Sequence, residues 1–122
     1  MVNSCLRLIL IGASILIATG CDDEGLLKCD RVMRNEAISA DASMKAAIED
    51  VQCGATTRDA SWVLLTKASS RFSDKRDQIA VFEGHVNELK WENGALVVLH
   101  GDAVPFKTTE IVGSIKVVYR AN

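Results

Sequence analysis

Residues 86–99 read VNELKWENGALVVL, and this stretch determines the expected fold class. Asn93-Gly94 stands between two segments rich in strand-forming residues. A two-residue type I′ turn needs positive φ at both central positions, so Asn-Gly in this setting is a strong signal for a β-hairpin. The turn fixes the strand register, and we expect one apolar face of the hairpin to be buried. That face holds Leu89, Trp91, Leu96 and Val98.

Other parts of the chain also predict short strands. Ser61–Lys67 and Ile79–Glu83 are apolar runs of strand length, Ile115–Tyr119 alternates, and Pro105 is expected in a loop between two strands. With 122 residues, 48% of them hydrophobic, the chain has room for one small domain. We therefore expect a mainly β domain at residues 44–122, a small antiparallel meander of about five or six strands.

Residues 44–52, MKAAIEDVQ, fit two different patterns. Ala46 and Ile48 recur at every second position, as on one face of a strand. Four apolar residues also have the i, i+3, i+4, i+7 spacing of one helix face. These are Met44, Ala47, Ile48 and Val51. The spacing slightly favours a helix, and a strand remains open.

The first twenty residues have the pattern of a secretory signal peptide. Arg7 is their one charge, and an uncharged apolar run follows from Leu8 to Ala18. A helix that spans a bilayer needs about 20 apolar residues, and Asp22 interrupts the run too early for that. We therefore expect residues 1–20 to be a signal peptide.

The segment Ile17-Ala18-Thr19-Gly20-Cys21 resembles the lipobox of bacterial membrane lipoproteins, in which small residues precede a lipidated Cys. The resemblance implies that Cys21 receives diacylglycerol, with acyl chains such as palmitate, and that residues 21–43 are a lipidated polar tether. The partner would then be a membrane, and the domain would face the periplasm. An ordinary signal peptide cleaved nearby is the alternative.

Asp22 bears on the choice of membrane. An Asp directly after the lipidated Cys resembles the inner-membrane retention signal of enteric-type bacteria, and the alternative is a short acidic tether. The formal net charge of −2 gives no support to a nucleic-acid partner.

Four cysteines are present, of which Cys5 lies in the expected signal peptide and Cys21 in the lipobox. Cys29 and Cys53 remain, in a compartment that permits disulfides, so we expect them to form one disulfide. A zinc site is the alternative, but the pair lacks a CxxC spacing and a nearby His.

A second resemblance covers the middle of the chain. The segment Cys53-Gly54-Ala55-Thr56-Thr57, with a strand beginning at Ser61, resembles the CGATT motif of a group of small uncharacterised bacterial proteins. The resemblance implies that residues 44–52 are a strand and that Cys29 pairs with Cys53. That group has no established activity, so no functional residue carries over. Turn residues of this type usually serve the turn, and a binding site is the alternative. Its residues would be Thr56, Thr57, Arg58 and Asp59.

No familiar catalytic motif is present, although a Ser-His-Asp arrangement remains open. We expect no cofactor and no metal. Extension of the hairpin register would place His85 opposite Asp102 and diagonal to His100, which makes these three residues weak candidates for a metal site. The interpretation that we favour is two surface histidines at a frayed hairpin end. Residues 67–77 carry mixed charges and are expected to be a solvated connection rather than a docking loop.

These observations favour a non-catalytic binding or interaction module on the cell envelope, with another envelope protein or a cell-wall component as partner. One alternative is an inhibitor or immunity-type lipoprotein that acts against a toxin or lytic enzyme, an idea that rests on analogy. Another alternative is a small periplasmic hydrolase, and a third is a structural spacer.

Overall fold

The computed structural model describes residues 29–54 and 58–122. These residues form nine β-strands and no helix. The prediction of a mainly β domain is therefore confirmed, although the strands outnumber the five or six expected. In chain order they are β1 (Asp30–Ile38), β2 (Met44–Gln52), β3 (Ala60–Lys67), β4 (Gln78–Glu83), β5 (Glu88–Glu92), β6 (Ala95–Leu99), β7 (Val104–Thr108), β8 (Ile111–Val112) and β9 (Ile115–Arg120).

Five strands form an antiparallel sheet in the order β1-β2-β3-β4-β7. Residues 44–52 form β2 of this sheet, so the strand implied by the CGATT resemblance is correct and the helix favoured by the spacing is wrong. Residues 46–49 of this strand are all buried. A strand covered on both faces carries apolar residues at consecutive positions, and such a run can imitate helical spacing.

The first strand corrects the expected tether, because residues 30–38 form β1 and pair with β2. Most of its side chains are exposed, so the sequence shows no alternating pattern. A register shift between Arg34 and Ala37 and a φ of 55° at Asn35 interrupt its regular pairing. Here β1 meets β5, because Asn35 Oδ1 accepts a hydrogen bond from Leu89 N (2.6 Å) and Ala37 O accepts one from Trp91 Nε1 (3.1 Å).

The second sheet contains four strands in the order β5-β6-β9-β8. Its β5–β6 hairpin has the predicted register, with Glu92 opposite Ala95, and φ is positive at Asn93 (51°) and Gly94 (82°). The pairing of β6 with β9 is parallel, which a simple meander would not contain. It arises because the chain leaves this sheet after β6, adds β7 to the first sheet and then returns.

The core lies between the two sheets. The predicted hairpin face is buried at Leu89, Leu96 and Val98, and Trp91 packs against the same core from a half-buried position. Phe82 of β4 is the largest of the fully buried side chains. The buried core residues are Ala46, Ile48, Val63, Leu65, Ile79, Ala80, Phe82, Val86, Leu89, Leu96, Val98, Ala103 and Val117.

The predicted disulfide between Cys29 and Cys53 is present. Asp30 opposes Gln52 in the β1–β2 pairing, so the two cysteines lie immediately beyond the same end of the sheet. We call this the disulfide end. The bond joins the two strands where their backbone pairing stops.

An edge strand of the first sheet contains Pro105, which was wrongly expected in a loop. Proline lacks a backbone N–H, and this loss is tolerated at a sheet edge. All five residues of β7 are exposed. Phe106 is 81% exposed, an unusual environment for a phenylalanine.

The connection at residues 68–77 is less solvated than expected. Asp77 is buried, its Oδ2 accepts a hydrogen bond from Ser73 N (2.7 Å), and its carbonyl accepts one from Leu65 N (2.9 Å). Lys45 Nζ lies 4.8 Å from the centre of the Phe72 ring. The loop is therefore anchored to β2 and β3.

Candidate functional site

Polar side chains from separate strands converge at the disulfide end of the first sheet. Asp50 of β2 lies opposite Ser61 of β3 in the strand register. Gly84 N donates a hydrogen bond to Asp59 O (2.9 Å), so the segment after β4 runs beside the start of β3. This packing brings His85 next to the aspartates, and we call the resulting group the His85 cluster. Its members are Arg34, Asp50, Asp59, Ser61 and His85.

Asp50 is at the centre of the His85 cluster. Arg34 donates to both of its carboxylate oxygens, with Nη2 at 3.1 Å from Oδ1, and also donates to Val86 O. Burial of Asp50 acts to raise the pKa of its carboxyl, but hydrogen bonds from Arg34 and Ser61 outweigh burial and leave the pKa below its ordinary value. Asp50 is therefore a carboxylate at neutral pH, held by a two-pronged arginine contact.

Ser61 is fully buried, and neighbouring groups occupy its hydroxyl. The Oγ atom lies 3.0 Å from Asp50 Oδ1 and 3.0 Å from Gly84 O, and it accepts a hydrogen bond from Val86 N (3.1 Å). A nucleophilic serine needs a base that takes its proton and a path for substrate. Here an aspartate stands between the serine and the histidine, so this arrangement positions strands and does not form a catalytic triad.

His85 is the accessible member of the cluster, with 51% of its side chain exposed. Its Nε2 lies 3.1 Å from Asp59 Oδ2, and its Nδ1 lies 3.5 Å from Asp50 Oδ1. Gln52 Nε2 donates to the same Asp59 oxygen at 3.3 Å. The two carboxylates hold the imidazole in place while half of it remains open to solvent.

A depression of about 390 Å³ lies beside His85. Residues 84–87 after β4 and residues 101–103 after β6 form its walls. These two segments pack tightly, because a Cβ at Gly101, which has a φ of +56°, would lie 2.5 Å from Asn87 Nδ2. The lining carries hydrogen-bonding groups of both kinds, from an imidazole, an amide and a carboxylate. The lining residues are Gly84, His85, Asn87, Gly101, Asp102 and Ala103.

The structure brings two of the three weak metal candidates together. His85 and Asp102 line the depression, whereas His100 stacks on Phe82 at 5.1 Å and its Nδ1 donates to Ala103 O (3.1 Å). The β5–β6 ladder ends at Glu88 opposite Leu99, so the regular extension used to place His85 does not form. In residues 29–54 and 58–122, no group of three or more His, Cys, Asp or Glu side chains could hold a metal ion.

The other predicted site residues fall in two groups. Thr56 and Thr57 lie outside the described residues, as do Cys21, the expected signal peptide at residues 1–20 and the beginning of the expected tether. Arg58 pairs with Glu83 at 2.9 Å and is exposed, whereas Asp59 belongs to the His85 cluster.

Sequence reasoning missed Arg34, Asp50 and Ser61. One usable signal was the position of Asp50. It lies two residues after Ile48 and four after Ala46, so it is on the same face of β2 as these two core residues. A charge on an otherwise apolar strand face indicates a paired, functional or structural carboxylate. Arg34 gave no such signal, because its strand lacks a pattern.

The comparisons with known proteins identify no relative. No protein-family model, curated protein or solved structure matches the chain. Within the residues described by the structure, no helix is long and apolar enough to cross a membrane.

Proposed function

We propose that the protein is a lipid-anchored, non-catalytic binding module of the cell envelope, which holds a polar group of its partner in the depression beside His85. The lipobox-like segment ending at Cys21 supports the anchor. The disulfide between Cys29 and Cys53 supports an exported domain, because disulfides persist in oxidising compartments. The observation that carries the binding role is the pre-positioned His85, fixed by Asp50 and Asp59 at the rim of the depression.

The chemistry of the lining favours recognition of a hydroxyl, amide or ammonium group. Asp102 accepts hydrogen bonds, Asn87 both donates and accepts, and His85 has one exposed half of its ring. Binding sites are commonly pre-formed, with a few polar groups that fix the orientation of a ligand. The close packing of Gly101 on Asn87 gives this site such a fixed wall.

One observation supports a hydrolase as the second candidate. A histidine oriented by a carboxylate, as His85 is by Asp59, can act as a general base towards a water molecule. The binding role is preferred because both ring nitrogens of His85 already face carboxylates, with Nε2 at 3.1 Å from Asp59 and Nδ1 at 3.5 Å from Asp50, and a general base needs a nitrogen that faces the water molecule.

A capture experiment tests the binding role. The mature protein would be immobilised in its oxidised form and exposed to an envelope extract, and bound species would be identified by mass spectrometry. We expect one stoichiometric partner that is lost with His85→Ala and with Asp102→Asn. The control Lys116→Ala changes an exposed residue of β9 outside the depression and should retain the partner. Equal capture by all variants would contradict the proposed site.

The anchor is tested separately. Globomycin blocks the lipoprotein signal peptidase, so we expect it to leave the precursor uncleaved in cells. Normal processing in its presence would contradict lipidation at Cys21.

The hydrolase is tested by activity. Turnover of a substrate by the wild type that is lost in a folded His85→Ala variant would support the hydrolase over the binding role.

A further inference from the structure

Both nitrogen atoms of the His85 ring are engaged within the His85 cluster. Nε2 lies 3.1 Å from Asp59 Oδ2, and Nδ1 lies 3.5 Å from Asp50 Oδ1. The exposed half of the ring lines the depression, and it therefore offers carbon atoms rather than a free hydrogen-bonding group. A partner can use this part of the ring as a surface for an apolar portion of its own.

The Asp102 carboxylate is the unpaired charge of the depression. In the part of the chain that the structure describes, no group forms a hydrogen bond or an ion pair with this carboxylate. The side-chain amide of Asn87 lines the same depression, and its oxygen can accept a hydrogen bond. Two exposed acceptors, one of them charged, are therefore available to a partner.

The charge of the site is negative in both protonation states of His85. Arg34 neutralises Asp50, with which it forms a close ion pair. Asp59 and Asp102 then face at most one positive charge, that of a protonated His85. A site of this charge attracts a cation more strongly than a neutral hydroxyl or amide group.

The basic residues at the neighbouring strand ends do not reverse this charge. Arg58 is offset by Glu83, at 2.9 Å. Arg120 extends to Glu92 (3.4 Å), the last residue of β5, whereas the depression adjoins the beginning of that strand. Among the described residues, no lysine or arginine lines the depression.

We propose that the depression beside His85 binds a primary ammonium group at the end of an alkyl chain, as in a lysine-type side chain of the partner. This inference rests on the proposed binding role of the same site. The ammonium donates hydrogen bonds to Asp102 and to the Asn87 oxygen, and the alkyl chain lies on the exposed carbons of the His85 ring. Small residues leave room for such a chain, namely Gly84, Gly101 and Ala103.

Two other cations fit the depression less well. Asn87 and Asp102 lie on different walls, one before β5 and the other after β6. Acceptors on two walls suit the three diverging donors of an ammonium better than the planar fork of a guanidinium, which matches both oxygens of one carboxylate. A divalent metal ion needs more carboxylate or imidazole ligands than the described residues bring together.

Nuclear magnetic resonance of the histidine rings tests the proposal. The chain has two histidines, so selective isotope labelling of histidine gives two ring signals, which His85→Gln assigns. The full mature protein, in its oxidised form and at constant pH, would be titrated with Nα-acetyl-lysine amide. The matched probe is Nα-acetyl-norleucine amide, which has the same four-carbon side chain without the amine. His100, whose ring stacks on Phe82, provides an internal reference.

We expect the lysine amide to shift the His85 signal until it saturates, and the norleucine amide to leave this signal unchanged. Asp102→Asn should weaken the binding of the lysine amide by about threefold, the size expected for an exposed ion pair. Lys116→Ala, outside the depression, should bind it as the wild type does. Equal shifts with both amides, or equal affinity in Asp102→Asn and the wild type, would overturn the ammonium assignment.

The capture experiment separates this inference from the proposed function. If capture depends on His85 and Asp102 but the lysine amide does not shift His85, the binding site stands and the ammonium assignment is wrong. If neither effect is seen, both are wrong. Acetylation of all primary amines in the envelope extract should abolish capture, and capture that survives it would also overturn the ammonium assignment. Separate trials with purified cell-wall fragments and with envelope proteins distinguish the two sources of the amine.

Discussion

At the scale of single residues, Glu49 combines burial with an incomplete set of partners. It is 6% exposed on β2, and its Oε1 has no hydrogen-bond partner among the described residues. Burial, followed by a hydrogen bond and charge repulsion from Asp74, raises the pKa of Glu49. Arg31 opposes this shift only partly, because its Nη1 lies 3.7 Å from Glu49 and 3.6 Å from Asp74. The folded protein therefore binds the proton of the Glu49 carboxyl more tightly than the unfolded chain does.

The raised pKa of Glu49 makes stability depend on pH. Its contribution is fully present below the ordinary pKa of a glutamate and is lost as pH rises through the raised value. We expect Glu49→Gln, which keeps a neutral group there, to stabilise the protein at pH 7 by about 1 kcal/mol, or roughly 4–8 °C in Tm.

Urea unfolding between pH 4 and pH 8 measures this effect. We expect the unfolding free energy of the wild type to fall as the pH rises above about 4.3, the ordinary pKa of glutamate. In Glu49→Gln this fall should be absent. Glu36→Gln is the matched control, since Glu36 is an exposed glutamate of β1. The same pH slope in the wild type and in Glu49→Gln would show that Glu49 is not the titrating group.

At the scale of elements, the β5–β6 hairpin depends on the backbone conformation of its turn. Gly94 has a φ of +82°, and a Cβ placed there would meet no atom within 4 Å. Gly94→Ala should therefore destabilise the protein through backbone strain alone, by roughly 1–2 kcal/mol. Asn93→Gly, at a φ of 51°, should be close to neutral. Midpoints of urea unfolding compare the two, and similar losses for both would contradict the turn argument.

The elements also show how far the sequence predicts the fold. Strands that carry a local signal were found, such as β3, with its apolar run, and the hairpin, with its Asn-Gly turn. The first strand was missed because its side chains are exposed and its partners are the backbone of β2 and the disulfide. The edge strand β7 was missed because Pro105 argues against a strand unless its edge position is known.

The candidate site was predicted only in part for a related reason. His85 and Asp59 were named, but for different sites, because a sequence does not show that the turn after β4 packs beside the start of β3. Arg34 reaches Asp50 from sixteen positions away and Val86 from fifty-two. Contacts of that separation follow from the sheet order and leave no local pattern.

At the scale of the whole molecule, the disulfide supplements a small core. The bond between Cys29 and Cys53 closes a loop of about 25 residues, which stabilises a folded domain by about 3.5 kcal/mol in the chain-entropy model. This is a large part of the ordinary 5–15 kcal/mol net stability of a domain.

A double variant, Cys29→Ser with Cys53→Ser, should therefore lose about 3 kcal/mol of unfolding free energy by urea titration. Each single serine variant should lose a similar amount, because either one opens the loop. Alkylation of the native oxidised protein should label neither cysteine. A double variant as stable as the wild type would contradict the structural role of the bond.

The parallel pairing of β6 with β9 determines the order in which the two sheets can be completed during synthesis. Strands β1 to β4, with Cys29 and Cys53, are synthesised first. The first sheet can therefore begin to assemble before the rest of the chain has been made. The second sheet cannot close until β9 has emerged, because β9 is the neighbour of both β6 and β8. Until then, the apolar faces of Leu96 and Val98 lack the strand that will cover their flank. A chain that ended before Ile115 would leave β6 as an open sheet edge, and such an edge is prone to pair with other chains and aggregate.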